Sequence, residues 1–572
     1  MSENTNQYET DVIVIGSGAA GLAAAVTAAQ AGLKVTVLEK APSIGGATAW
    51  SGGWMWVPGN PLAQRAGIHE DMEQVRTYLR YELGDRYNPE LINSFLENCG
   101  PMIGFFEQKT ALKFCDGNSI PDIHGASPGA AAGGHQVIAA PFDARELGSG
   151  YRTVRKTLAE TAFIGMPIQA GPDLLAFLNC CRSLAAFLHV CRRVSRHLWH
   201  LLRYGRAMHW VNGVALVGRL YKSAVELGVD VRTDCPARSL SLKNGRVKGV
   251  HIIQDGAPVL LHADRGVILC AGGYPHDIQR RIETYPTRNL GQNHWPLPPS
   301  SCDGDGIRLG ESAGGTLASD LASAAAWCPV SVVPYEHKAN GVFPHIIDRG
   351  KPGIIGVLAN GKRFVNEAHG YYDYVQAMLG AVPAHRELCS WLICDHRFLR
   401  RYGMGIVKPF PLPYRRWLKS GYLIRGRTLN ELATNCGIEP QALKTTVDDF
   451  NRHAVCGIDP EFGRGTTPYN RKMGDPSHQP NPCVAPLNKA PFYAIKVVPG
   501  SFGTFAGLRT NGNAQVLNDA GMAIPGLYAA GTDMASVMRG YYPSGGINLG
   551  PAMTFGYIAA RHIASNSGAQ DS

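Results

Sequence analysis

Gly16, Gly18, Gly21 and Glu39 have the types and the spacing to hold a pyrophosphate and a ribose. In Gly16-Ser17-Gly18-Ala19-Ala20-Gly21 the first glycine permits a tight turn, the second lets a pyrophosphate reach the backbone, and the third lets a helix pack closely on a strand. The N–H groups and positive dipole end of the following helix would then meet the phosphates. Glu39, 18 residues past Gly21, is placed to accept hydrogen bonds from a ribose 2′-OH. A glycine-rich turn alone is often only a turn, so the elements that position it decide the matter. Asp11 to Ile15 is a short apolar run of the buried-strand kind, the helix is Ala-rich to about Ala31, and Lys34 to Leu38 is a second strand ending at Glu39 and Lys40. Strand, turn, helix, strand and acid follow in the order that dinucleotide binding requires.

A second stretch, Gly45 to Gly53, has almost no side-chain bulk apart from Trp50. A nicotinamide dinucleotide does not need this second cradle, but the ribityl chain and ring of FAD do. FAD is therefore the expected cofactor, held by Gly16 to Gly21, Glu39, Lys40, Gly46, Ala47, Thr48, Ser51, Gly52 and Gly53.

At 572 residues the chain is long enough for two or more domains. Its net charge of +10 comes without a basic run interleaved with aromatics, so no nucleic-acid partner is expected. The 14 cysteines lack paired C-x-x-C spacing; neither a metal site nor a disulfide framework is expected, and a reducing cytoplasm fits best. The polar first eight residues do not read as a signal peptide.

Residues 54–110 read as helices and 115–150 as an ordered, glycine- and proline-rich loop region. Residues 173–206 mix Leu, Phe and Ala with a row of arginines, without an 18-residue charge-free span. That stretch reads as a helical excursion, over about 160–206, packed on the protein or lying on an anionic membrane surface as a basic amphipathic helix. Trp210 to Leu227 reads as a helix, Val229 to Arg232 as a strand, Val247 to Ile253 with Val259 to Ala263 as a meander, and Gly266 to Cys270 as a buried strand closed by Ala271-Gly272-Gly273. From about 300 to 490 prolines, aromatics and charges increase, which marks a second domain. The strand-helix pattern resumes at Gly526 to Asp533 and ends in a helix from near Pro551 to about Ala564.

GSGAAG with Glu39, GGATAWSGG, VILCAGG, Gly304-Asp305-Gly306, Gly361 to Glu367 and GLYAAGTD…GGINLGPAMTFGYIAARHIA stand in a family order. Over nearly its whole length the chain resembles the flavoprotein family of 3-ketosteroid dehydrogenases and soluble fumarate reductases. The resemblance implies an α/β fold: a Rossmann-like (GR2-type) FAD-binding domain split into 1–298 and 491–572, with an α+β capping and catalytic domain inserted at 299–490. It adds Ala237, Ala271, Gly272 and Gly531 to the cofactor wall. It also implies that Asp533 holds the ribityl chain and that the Asn548-Leu549 backbone approaches the flavin pyrimidine.

Fumarate reductases of this family carry arginines where this chain has Tyr371 and Pro543, and neither can form a guanidinium fork on a dicarboxylate. Ketosteroid dehydrogenases carry tyrosine at the first position and a tyrosine four residues before a glycine at the second, as Tyr371, Tyr542 and Gly546 do here. Making a C=C beside a ketone removes an α proton and a β hydride. The resemblance casts Tyr542 O–H and Gly546 N–H as the oxyanion hole, Tyr371 as the base and the flavin as hydride acceptor. A phenol of ordinary pKa about 10 is a poor base, so Tyr371 needs a neighbouring hydroxyl or a positive field. Tyr372 and Tyr541 are the fallbacks. Two departures appear: Ile123 stands where C1–C2 dehydrogenases have a tyrosine, and Tyr542-Pro543-Ser544 resembles the branch that oxidises C4–C5 of 5α-3-ketosteroids. Ser544 is accordingly a catalytic candidate, and Δ4-(5α) activity is expected over Δ1. A dehydrogenase or enone reductase of another cyclic ketone, or a non-catalytic FAD-binding protein, stays open, as does the electron acceptor.

Overall fold

The computed structural model describes residues 8–254, 256–286 and 293–566. Two sheets carry the site. In the first, Tyr8–Ile15 lies at the centre, parallel to Val35–Leu38 on one side and to Ala257–Leu269 on the other. Asp230–Arg232 extends the sheet beyond Val35–Leu38, and Ala523–Ala529 then Gln515–Leu517 extend it beyond Ala257–Leu269. The inner strands are apolar on both faces because helices cover both, as parallel sheets demand. Val12, Ile13 and Val14 are wholly buried. Helix Ala19–Gln30 packs along Leu549–Ser565 and Asn212–Glu226. The first crossing is close because Gly556 faces it: a Cβ there would lie 2.5 Å from Ala20 O.

Several elements differ from the sequence expectation. The meander strand at 259–263 and the buried strand at 266–270 are one 13-residue strand, Ala257–Leu269. Its first half pairs antiparallel with Arg246–Gln254 and its second half runs parallel beside the strand Ala523–Ala529. Residues 54–110 are mostly helical (Pro61–Arg65, Met72–Leu83, Pro89–Lys109), but Trp54–Trp56 is a strand. It pairs with Gln136–Ala139, which also takes Phe114–Asp116, so the region read as loop supplies two strands of a small sheet.

The second sheet has the order Gly341–Pro344, Ala325–Val333, Phe492–Thr504, Ser390–Asp395, Ile354–Val357. Its central strand therefore begins beyond residue 490, where the chain was expected to have returned to the first sheet. The short strand Trp295–Pro296, before residue 298, also pairs with it. The excursion at 160–206 is a helical hairpin, Pro172–Leu178 and Leu184–Tyr204. Ser183 caps the longer helix by accepting from the Ala186 N–H, and Gly205 ends it with φ +71°. At its base the Arg206 guanidinium donates to Tyr151 O and Val154 O at 2.9 and 2.8 Å. No helix among the described residues is long and apolar enough to cross a membrane.

Candidate active site

A cavity of about 1600 Å³ runs from the first sheet to the second, beneath the hairpin. One end is the glycine fingerprint. Gly16 has φ +106°, and a Cβ there would lie 2.2 Å from Cys270 O; one on Gly21 would lie 1.9 Å from Gly16 O. Those two glycines make the turn and the helix–strand contact. At Gly18, by contrast, a Cβ would meet only Thr48 Oγ1 at 3.6 Å, and at Gly46 only Gly18 Cα at 3.9 Å. The open lane between these two is where a pyrophosphate can lie against the backbone. Thr48 holds the second cradle to the first by accepting from Ala19 N–H at 3.0 Å, and Gly45 N–H donates to Ser17 Oγ at 3.0 Å.

Glu39 lines the cavity with its carboxylate largely engaged. Oε2 accepts from Ser17 N–H and O–H at 3.2 and 2.6 Å, and Oε1 from Ala41 N–H at 2.9 Å. Of about four lone-pair positions on a carboxylate, one is left for a ribose hydroxyl. The Lys40 ammonium donates to Asp303 and, at 2.6 Å, to Asp305, fixing the start of helix Asp305–Ser312. Ala47, Ser51, Gly52, Gly53, Ala237, Ala271, Gly272 and Gly531 also line the cavity, as do Asn548 and Leu549 at the N-terminus of the last helix.

Asp533 does not. It is wholly buried behind the wall, accepting from Ala271 and Gly273 N–H at 2.5 and 2.8 Å, and a Cβ on Gly306 would lie 2.0 Å from its carboxylate. Burial pushes its carboxyl up to about 6, against the pull of those N–H donors. Where a ribityl contact was expected, Asp533 instead braces the turns that face the cofactor lane. Ser544 is displaced too: it is wholly buried outside the cavity lining, with Oγ accepting from Gln136 Nε2 at 3.1 Å.

Tyr371, Tyr542 and Gly546 come together. Tyr371 begins helix Tyr371–Ala381, and its ring meets Tyr542 edge-on at 4.9 Å and Phe502 at 5.2 Å. Asn548 Nδ2 donates to the Tyr542 hydroxyl at 3.4 Å. Burial, then the neighbouring Tyr542 and Tyr469, push the Tyr371 phenol well above its ordinary value; burial does the same to Tyr542. Gly546 has φ +87°, and a Cβ there would lie 2.7 Å from Trp56 N. Its carbonyl accepts from Trp56 and Gly550 N–H, while its own N–H has no acceptor among the described residues. The fallback Tyr372 is engaged, its hydroxyl donating to Gly540 O and accepting from Gln376 Nε2, both at 2.8 Å.

Sequence reasoning missed Tyr469. It lies in the short helix Pro468–Met473, whose Thr467 side chain caps it, and lines the same cavity as Tyr371 and Tyr542. Burial raises its phenol while Arg349 pulls the other way. Nothing in Thr-Pro-Tyr-Asn distinguishes this tyrosine from a core aromatic; only the folded chain brings it to Tyr371. Behind the site, His124, His369 and Asp373 present ligand atoms within 4.8 Å of one another. His124, however, stands between Glu82 and Asp373, which outweigh burial and raise it to about 10. A protonated imidazole has no lone pair for a metal.

Two helix N-termini on one lane, a backbone open at Gly18 and Gly46, and the Glu39 carboxylate lining the lane with a lone-pair position to spare fit FAD. The profile of the FAD binding domain family matches residues 11–549. The chain belongs to this family of flavoproteins. Among relatives of the flavoprotein, the 4-oxocyclohex-2-ene-1-carboxylate 5-dehydrogenase of Sinomonas cyclohexanicum is 37% identical, covering 100% of this chain and 97% of that protein. The 3-oxosteroid 1-dehydrogenase of Mycobacterium tuberculosis is 36% identical over 98% of this chain and 99% of its own length. The crystal structure of 3-ketosteroid Δ1-dehydrogenase from Sterolibacterium denitrificans, in complex with 1,4-androstadiene-3,17-dione, matches with a TM-score of 0.90 at 32% identity, covering 98% of this chain and 100% of that one.

Proposed function

We propose that this flavoprotein introduces a C=C bond beside the carbonyl of a 3-oxosteroid. The observation that carries the reading is the meeting of Tyr371, Tyr542, Tyr469 and the unpartnered Gly546 N–H in one wall of a large cavity that is continuous with the FAD lane. Much of the remaining wall is apolar, with Phe163, Phe177, Phe343, Met404, Val407 and Phe410, and suits a fused-ring hydrocarbon.

Bound FAD supplies the hydride acceptor. A ketone oxygen seated between Tyr542 O–H and Gly546 N–H has its developing enolate charge stabilised, each donor contributing about 3–4 kcal/mol. Tyr371 takes the α proton. Its raised pKa keeps the resting hydroxyl protonated, so it accepts that proton while passing its own to a neighbour. Tyr469, whose hydroxyl forms no hydrogen bond within the described residues, is the neighbour able to hand a proton on to cavity water.

The expectation of C4–C5 oxidation rested on Ile123 and on Tyr542-Pro543-Ser544; the Ser544 hydroxyl is turned to Gln136, so that part of the support falls away. Likeness to two 1-dehydrogenases favours C1–C2. Anaerobic mixing of the holoenzyme with androst-4-ene-3,17-dione and 5α-androstane-3,17-dione tests this: a true donor bleaches the flavin, and the product gives the bond oxidised. Bleaching by neither steroid would reject the reading. A second reading, oxidation of a monocyclic keto acid, is favoured by the 37% relative.

The hairpin supports membrane contact at the cavity mouth. Leu184, Phe187, Leu188, Leu198, Trp199 and Leu202 are all about half exposed or more, beside exposed Arg192 and Arg196, and Phe187, Val190 and Val194 also line the cavity. Flotation on anionic liposomes should be salt-sensitive and lost when Arg192 and Arg196 become Glu; no flotation of the wild type would remove the idea. Arg193 is left intact in that test because it holds Pro167 O and Asp173.

A further inference from the structure

Lys408 stands in the loop between helices His396–Tyr402 and Arg415–Lys419, whose Met404, Val407, Phe410 and Leu412 form apolar wall of the cavity. The other cationic side chains of that wall have protein partners. Lys351 Nζ donates to Met473 O and Gly474 O at 2.8 and 2.6 Å, Lys472 Nζ to Ser119 Oγ at 2.7 Å, Arg471 to Gly465 O at 3.4 Å, and Lys40 to its two aspartates. Lys408 has neither an ion pair nor a hydrogen bond among the described residues. Burial alone acts on it, pulling its ammonium down to about 8, and no carboxylate opposes that pull. A cation held in an apolar wall without a counter-ion costs free energy that an incoming anion would recover. The Lys408 loop follows Arg401, whose guanidinium donates to Leu178 O and Asn179 Oδ1 of the hairpin at 2.9 Å, so Lys408 lies on the hairpin side of the cavity and addresses the end of a ligand that reaches toward the mouth.

We propose that Lys408 receives a carboxylate carried by the substrate at the end remote from its ketone, which makes the preferred substrate an oxo acid. This rests on the ketone-dehydrogenase reading for the reacting end, and the carboxylate could sit on a steroid side chain or on a single ring. The holoenzyme is compared with Lys408→Met and Lys408→Arg on 3-oxochol-4-en-24-oic acid, its methyl ester, 4-oxocyclohexane-1-carboxylate and neutral androst-4-ene-3,17-dione. For whichever acid is used, Lys408→Met should raise KM roughly 30-fold or more, the loss expected when one partner of a buried charge pair is removed. Flavin reduction with the neutral steroid should be unchanged, and Lys408→Arg should keep most of the affinity for the acid. An effect confined to the steroid acid assigns the side-chain source; one confined to the cyclohexane acid assigns the single ring. Equal changes for acid, ester and neutral ketone, or none for any, would overturn the proposal. Dissociation constants of both acids, read from the perturbed flavin spectrum, decide Lys408 even if no ketone bleaches the flavin. That latter result would overturn the dehydrogenase reading instead.

Discussion

Replacing Tyr542 by Phe removes one oxygen and little else. The ring keeps its contacts with Tyr371 at 4.9 Å, Tyr372 at 5.9 Å and Phe505 at 5.9 Å, so no cavity opens in the wall. The protein loses the long 3.4 Å contact from Asn548 Nδ2, on a side chain that still borders open cavity, and the hydrogen bond between the Tyr371 and Tyr542 hydroxyls. Stability and FAD content should therefore stay close to wild type. The chemical step loses a donor aimed at charge that develops only in the transition state, which corresponds to roughly 10²–10³ in rate. The Gly546 N–H remains, so the variant should be slow but active. Anaerobic stopped-flow at the flavin absorbance maximum, with a steroid that reduces the wild type, gives the rate directly. A variant within threefold of wild type would refute the oxyanion role. A variant with no activity but normal substrate binding would mean that the hydroxyl also serves the proton path.

Tyr371→Phe should leave ketone binding intact, read from the flavin spectrum, while flavin reduction nearly stops; a wild-type rate would remove it as the base. Glu39→Ala should weaken FAD binding, because it loses a ribose acceptor and also frees the Ser17 N–H and O–H that it holds, and equilibrium FAD titration measures this. Glu367 should govern acid stability. Burial would raise its carboxyl, but Arg363 and Arg464 outweigh burial and depress it to about 2 from an ordinary 4.5. Because the folded value is the lower one, this stabilisation is present above pH 4.5 and is lost as pH falls toward 2, on the order of 3 kcal/mol in all. Urea midpoints across that window should follow this slope, which Glu367→Gln should flatten.

The cofactor half of the chain was legible because its signals are local. A turn glycine, an apolar strand run and an acid at fixed offset are all read within one short strand-helix-strand stretch, and Gly16 to Ala20, Glu39 and most of Gly46 to Gly53 line the cavity. The substrate half was legible only where a family motif supplied the positions, at Tyr371, Tyr542 and Gly546. Tyr469 carries no local signature, and it reaches Tyr371 from about a hundred residues away through the packing of the second domain. Asp533 and Ser544 were misplaced for one reason. Their neighbours in sequence line the cavity, and sequence alone does not say which side chain of a turn faces inward. Asp533 is turned to the backbone N–H groups of a glycine turn, and Ser544 to the amide of Gln136. The long strand Ala257–Leu269 was divided because the partner on one of its edges changes midway from the antiparallel Arg246–Gln254 to the parallel Ala523–Ala529, while its apolar pattern does not announce where.

Arg206 ties the chain that leaves the helical hairpin to the chain that enters it, through Tyr151 O and Val154 O. The hairpin is thus a loop closed at its own neck and held a second time by Arg401 at Leu178 and Asn179. Its inner residues are constrained, because Phe187, Val190 and Val194 line the cavity and Arg401 donates to Leu178 O and Asn179 Oδ1, whereas Leu184 and Leu202 on its outer side are exposed. Its outer surface can then be altered separately from the cavity wall that its inner residues form.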